Sequence, residues 1–212
     1  MKNIGMLSIA CLLSACAQVT PKQDAEEVAL TGAEIANKYL IVDTHIDVPF
    51  RLHRKPANVG AATASGEFDY PRAKQGGLNV PFMSIYIPAS VDAEGGATEL
   101  ADKLIDDVEN IAAEHPDKFS LVASASDALM TLDSGKVGLA LGMENGAPIA
   151  GDLKLLRHFY DRGIRYITLT HSKSNHISDS SYDEARQWGG LSDFGEIPVS
   201  YTHLRAHETD SY

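Results

Sequence analysis

The sequence predicts an α/β fold in which βα units build a parallel sheet. Short apolar runs of strand length alternate along the chain with segments whose apolar residues keep helical spacing. Short turns join strand and helix, as in βα units around a parallel sheet. Ligand-type side chains fall at the C-terminal ends of separate strand candidates: His45 and Asp47, then Glu144, then His171. In a βα barrel that rim is where chemistry occurs.

The first strand candidate is Ile41-Val42-Asp43-Thr44-His45-Ile46-Asp47-Val48-Pro49, an apolar start of the buried-strand kind that Pro49 stops. Phe50 to about Lys74 has no period, holds Pro56 and Pro71, and reads as a long loop. Leu78 to Pro88 is a second strand bounded by prolines. From Gly96 to about Glu114, Leu100, Leu104, Ile105, Val108, Ile111 and Ala112 keep helical spacing, and His115-Pro116 ends the helix. Phe119 to Ala123 reads as a short strand. A capped helix starts near Ser126 and closes at Ser134-Gly135-Lys136. Val137 to Met143 is a strand with Glu144 at its end. Asp152 to Arg162 is a helix with Leu153, Leu156, Phe159 and Tyr160 on one face, and Arg165 to Thr170 is a strand leading to His171.

The chain of 212 residues is 44% hydrophobic, enough to bury a real core. Its 18 basic and 29 acidic residues give a net charge of −11 without a basic patch, which argues against nucleic acid as a partner. Met1-Lys2-Asn3, the apolar run from Ile4 to Leu13 and then Ser14-Ala15-Cys16 have the marks of a secretory signal too short to span a bilayer. Leu13-Ser14-Ala15-Cys16 resembles the bacterial lipobox, which implies a signal over 1–16 and lipidation of Cys16. Residues 17–33 then read as a flexible tether. Ala17, rather than Asp, fits an outer-membrane protein facing the periplasm. With Cys11 removed and Cys16 acylated, no thiol is left for a disulfide or a nucleophile.

Side chains alternate along a strand, so Asp43, His45 and Asp47 share one face. An imidazole and a carboxylate two residues apart make a half-site for Zn²⁺ or a similar divalent ion. The same pair would serve as a structural His and a helix-capping Asp, and the short pattern alone leaves both open. Three strands that each bring a ligand-type side chain to one rim favour the metal. Asp43 suits a partner that orients His45 rather than a ligand. His176 and Asp179, in the Ser-rich loop after His171, either line the site or face solvent. His53, His115 and His158 lie away from the rim.

Val42-Asp43-Thr44-His45-Ile46-Asp47, the segment Gly76 to Ala89, Leu141-Gly142-Met143-Glu144-Asn145-Gly146 and the run Leu153 to Ser180 resemble the membrane dipeptidase (renal dipeptidase) family of binuclear zinc peptidases. The likeness runs from about Lys38 to Gly195. It implies a (β/α)8 TIM barrel of the metallo-dependent hydrolase (amidohydrolase) type. It makes His45 and Asp47 ligands of one Zn²⁺, Glu144 the carboxylate bridging two, and His171 a catalytic residue that contacts substrate. A metal-activated hydroxide would hydrolyse dipeptides, and some family members are dimers. One departure is visible: the family has Glu-Gly-Gly where this chain has Glu144-Asn145-Gly146.

The likeness fades at about Glu196. Residues 34–195 are therefore expected to be the N-terminal half of such a barrel, a fold truncated to about its first half, and 196–212 a tail foreign to the family. The histidines that hold the second zinc in the family have no counterpart, and His203 and His207 lack the helical context to replace them. Little activity is expected of the fragment on that view. Two other functions compete. One is a different amidohydrolase-type enzyme, although these usually begin His-x-His rather than His45-x-Asp47. The other is a binding lipoprotein with a degenerate site.

Overall fold

The structure, a computed structural model, describes residues 29–206, with the backbone alone for 201–206. The predicted signal, Cys16 and most of the tether lie outside the described residues. From Thr31 the chain forms one compact unit. Helix α1 (Gly32–Lys38) opens with a capping box, in which Thr31 and Glu34 satisfy each other's backbone N–H. Strand β1 (Val42–Ile46) follows, then α2 (Val48–Arg54) and α3 (Tyr70–Gly76). Both helices lie in the stretch expected to be a loop. Pro49 and Pro71 sit in the first turn of α2 and α3, where a missing N–H costs nothing, so each starts a helix rather than ending a segment.

Strand β2 (Val80–Tyr86), the short α4 (Ala89–Ala93) and the long α5 (Ala97–Glu114) come next. The apolar stripe read on α5 is the stripe that faces inward, with Leu104, Ile105 and Val108 fully buried. Strand β3 (Phe119–Val122) and α6 (Ala125–Ser134) precede β4 (Val137–Glu144). Ser124, two residues earlier than expected, caps α6 by accepting from Asp127 N at 3.1 Å. After a 3₁₀ turn come α7 (Leu153–Asp161), β5 (Ile164–Thr168) and α8 (Asp193–Ala206).

Every strand pairing is parallel, in the order β1-β2-β4, with β3 and β5 both against β4. The latter two share β4 end to end: β3 pairs with residues 137–140 and β5 with 141–144. The register aligns Tyr86, Glu144 and Thr168 at one rim. Alternate residues of β4 point opposite ways. Val137, Leu139, Leu141 and Met143 pack with α5 and Phe159 of α7 in the main core, while Gly138, Ala140, Gly142 and Glu144 face the other side.

Three local expectations change. Strand β1 is not buried: four of its five residues are exposed, because it sits at the sheet edge and pairs only with β2. On α7 only Phe159 is buried, and Leu153 and Tyr160 border an apolar cleft of about 640 Å³ beside β5 and α8. The segment after Gly195, read as lacking helical context, instead continues α8 to Ala206. Ser192 Oγ accepts from Gly195 N at 2.9 Å at the start of α8. A Cβ at Gly195 would stand 2.0 Å from the Ile177 carbonyl, so the helix packs there directly on the preceding loop.

Candidate metal centre

At the rim formed by β1, β2, β4 and the end of β5, His45 Nε2 lies 3.5 Å from Asp47 Oδ1 and 3.2 Å from Glu144 Oε2. These ligand-type atoms lie within 4.8 Å of one another, and no other such group occurs among the described residues. Asp47 occupies the N-cap position of α2, yet its side chain makes no capping hydrogen bond. The helix-capping alternative therefore fails: the carboxylate turns to His45.

Glu144 is the least exposed of the three side chains, at 15% against 70% for Asp47. Ser84 Oγ, from the neighbouring strand, donates to its Oε2 at 2.8 Å. Its other oxygen, Oε1, lies 3.2 Å from His171 Nε2. The carboxylate thus offers one oxygen to each imidazole. His171 is three residues beyond β5 and is fixed twice, by Ser180 Oγ donating to its carbonyl at 2.5 Å and by edge contact with the Tyr86 ring, 5.0 Å between centroids.

Asp43 acts on His45 through the main chain: its Oδ1 accepts the His45 backbone N–H at 3.0 Å. The imidazole itself is held by Tyr166, whose hydroxyl lies 3.0 Å from Nδ1. Burial, then the charges of Glu144, Asp47 and Asp43, push the Tyr166 phenol up from its ordinary value, so it stays protonated. Tyr86 is pushed up in the same way, by burial and then by Glu144 and Asp47.

Asn145, the departure from the family's glycine, has φ 81°, a left-handed conformation that Asn tolerates better than most residues. It is buried and fully used: Nδ2 donates to the Ile87 carbonyl at 2.9 Å, and Oδ1 accepts from Ala147 N and Asn175 Nδ2. Asp179 does not line the site. Its carboxylate accepts the backbone N–H groups of Gln187, Trp188, Gly189 and Gly190, which organise the loop before α8. His176 packs against Phe194, 5.3 Å between ring centroids. His53 pairs with Asp107, His158 with Asp102, and His115 packs over Gly60, all away from the rim.

The site opens into a cleft of about 610 Å³ lined by Asp47, Phe50, Arg51, Arg54, Tyr86 and His171 among others, with Lys55 at its edge. The apolar cleft beside α7 is slightly larger but holds no His or carboxylate, so it offers no chemistry of this kind. Sequence reasoning missed Ser84, Tyr86, Tyr166 and the basic end of α2. A period-two reading of β2 would have found the first two, since Phe82, Ser84 and Tyr86 share the face that carries the site.

Comparison with known proteins was then decisive for the family. The sequence model of the family described as "Membrane dipeptidase (Peptidase family M19)" matches residues 31–202. A relative from Aspergillus terreus, the dipeptidase ataJ, is 32% identical over 155 residues, which are 68% of this chain and 38% of that protein. Among solved structures, the probable dipeptidase PvdM from Pseudomonas aeruginosa superposes with a TM-score of 0.69 at 22% identity, over 80% of this chain and 46% of its own. A metallo peptidase from Rhodobacter sphaeroides, liganded with a phosphinate mimic of the dipeptide L-Ala-D-Ala, gives 0.65 at 22% identity, over 76% and 55%. The two structures share the fold.

The match corrects two expectations. The family likeness does not stop at Gly195 but runs through the first turns of α8 to residue 202, nearly all of the described residues. The readings of a resemblance confined to an N-terminal half, and of a barrel truncated to its first half, are therefore withdrawn. What stands is the alternating β/α fold shared with those structures. No lipoprotein form is part of the match, which begins at residue 31. The chain spans 34–43% of the length of the curated relatives it matches.

Proposed function

We propose a zinc-dependent dipeptidase function on one premise: the chain belongs to the membrane dipeptidase family (Peptidase family M19). The observation that carries the reading is the convergence of His45 Nε2, Asp47 Oδ1 and Glu144 Oε2. An imidazole nitrogen flanked by two carboxylate oxygens can hold a cation between them, and one nitrogen with two oxygens suits Zn²⁺. When bound, such an ion polarises a peptide carbonyl and makes a water acidic near neutral pH.

The residues of the chain provide the rest. Ser84 holds Glu144 in place, leaving Oε1 turned toward His171. His171 lines the cleft beside Tyr86, and its Nε2, 3.2 Å from Glu144 Oε1, would turn to donate to the oxygen that gains charge as the carbonyl is attacked. Arg51, Arg54 and Lys55 give the opposite wall positive charge, suited to the carboxylate of a dipeptide. The Nη2 atom of Arg51 is buried without a hydrogen-bond partner among the described residues, which leaves it a donor in reserve.

The test is direct. Purified protein is titrated with Zn²⁺ against a chelator, then given a panel of dipeptides that includes L-Ala-D-Ala. Zinc binding and hydrolysis lost together in Asp47→Asn support the reading. Hydrolysis that survives removal of all metal would sink it.

We also propose, from Leu13-Ser14-Ala15-Cys16 alone, that a lipid on Cys16 holds the protein at the bacterial envelope. No helix among the described residues is long and apolar enough to cross a membrane. Cys16→Ala should release the protein from the membrane fraction, and an unchanged distribution would exclude the anchor.

A further inference from the structure

The geometry points to Tyr166 as a positioning residue that sets the tautomer of His45 and so aims its Nε2 at the metal site. Tyr166 belongs to β5 and His45 to β1, at opposite sides of the sheet path, with β4 and β2 between them. The phenol spans that face. Its oxygen lies 2.9 Å from the carbonyl of Thr44 and 3.0 Å from Nδ1 of His45, two adjacent residues of one strand.

The protons can be counted. A carbonyl oxygen only accepts, so the single phenolic proton goes to Thr44. The phenol then has only lone pairs left for Nδ1, and a hydrogen bond there requires the proton to sit on Nδ1. In the neutral ring that leaves Nε2 bare, pointing at Asp47 Oδ1 and Glu144 Oε2. The opposite tautomer would set the Nδ1 lone pair against a phenol oxygen with no proton to offer. A metal-binding His commonly gives its second N–H to a carboxylate or carbonyl. Here Asp43, two residues before His45, is engaged by the His45 main chain, and the tyrosine takes its place.

Two features of the sheet make room for this. The Tyr166 ring lies over Gly142, where any Cβ would overlap it, and against Phe82 at 5.3 Å between centroids. The small side of β4 is thus a bed for the ring.

The inference deepens the dipeptidase reading and rests on it only for the identity of the ion. Its test uses the whole chain with histidines labelled in ¹⁵N and loaded with Zn²⁺, so that the two carboxylates facing Nε2 do not draw the ring proton there. Long-range ¹H–¹⁵N spectra of wild type should show His45, assigned through His45→Gln, with its proton on Nδ1. In Tyr166→Phe, which keeps the ring and its packing, Zn²⁺ affinity, measured by chelator competition, should fall roughly 10–100-fold. A wild-type His45 protonated on Nε2, or a Tyr166→Phe protein that binds Zn²⁺ within about twofold of wild type, would overturn the proposal. If wild type binds no Zn²⁺ at all, the dipeptidase reading fails and the proposal with it, whereas bound Zn²⁺ with the His45 proton on Nε2 overturns the proposal alone. The same wild-type spectrum decides it if the variant does not fold.

Discussion

A Cβ on Gly142 would stand 2.1 Å from Cζ of Tyr166, closer than two carbons can approach without a bond. The glycine at the centre of β4 is therefore a condition for the tyrosine to reach His45. Gly142→Ala should push the phenol away, weaken Zn²⁺ binding at least as much as Tyr166→Phe does, and cost about 1–3 kcal/mol through overpacking. Chelator competition and urea unfolding read the two effects separately. An unchanged affinity would mean the ring has another route to the histidine.

Glu144 carries both imidazoles on its two oxygens. Glu144→Gln keeps the shape and removes the charge. Zinc affinity should drop by roughly 100-fold or more, beyond the usual effect of an outer partner, while the unfolding midpoint in the absence of metal stays equal or rises. A variant that still binds zinc as wild type does would remove Glu144 from the ligand set.

Asn145 separates backbone strain from hydrogen bonding. Asn145→Gly relieves the left-handed backbone but loses the bonds to Ile87, Ala147 and Asn175, whereas Asn145→Ala loses the bonds and adds strain. Both should destabilise, by about 1–3 kcal/mol for the unmet polar groups. Alanine should be worse than glycine by about 1 kcal/mol. Equal values in chemical denaturation would show that the φ of 81° carries no strain.

Asp69 makes stability depend on pH. The Arg72 side chain holds its carboxyl far below the usual carboxylate range, against the opposing effect of burial, with help from the N–H groups of Thr63 and Arg72. A depressed folded-state pKa means the contribution is complete above the ordinary carboxylate range and is lost as pH falls toward the folded-state value. Asp69→Asn should cost about 1–3 kcal/mol near neutral pH. Its gap from wild type should narrow on acidification in urea melts taken across pH, and a gap independent of pH would contradict the assignment.

Asp179 tests the loop behind His171. Burial works to raise its pKa, but the backbone N–H groups of Gln187, Trp188, Gly190 and Gly189 outweigh that and hold it low. Asp179→Asn should speed amide exchange at 187–190 by tenfold or so for each ~1.4 kcal/mol of local stability lost, with little change in β4. Uniform acceleration across the sheet would mean the loop is no separate unit.

Much of this was legible in the chain. The apolar runs of β2, β4 and β5 and the stripe of α5 have periods that survive any packing. His45, Asp47, Glu144 and His171 stand out because polar ligand-type residues interrupt apolar strands at their ends. The prolines at 49 and 71 misled, since a residue that breaks a helix in its middle is welcome in its first turn. Tyr166 was invisible for a different reason: it is an ordinary residue in an apolar strand until the neighbouring strand is known.

The sequence by itself determined the strands, the helices α5 to α7, the rim where the ligand-type side chains gather and the likeness to the family, because these depend on residue spacing along one chain. Only the tertiary structure decided that Asp47 turns to His45 rather than to its helix, that Asp43 acts through a backbone N–H, and that Tyr166 takes the second nitrogen of His45. Those choices depend on strand order and register, which bring residues 121 positions apart within a hydrogen bond of each other. Local spacing carries no trace of such a meeting.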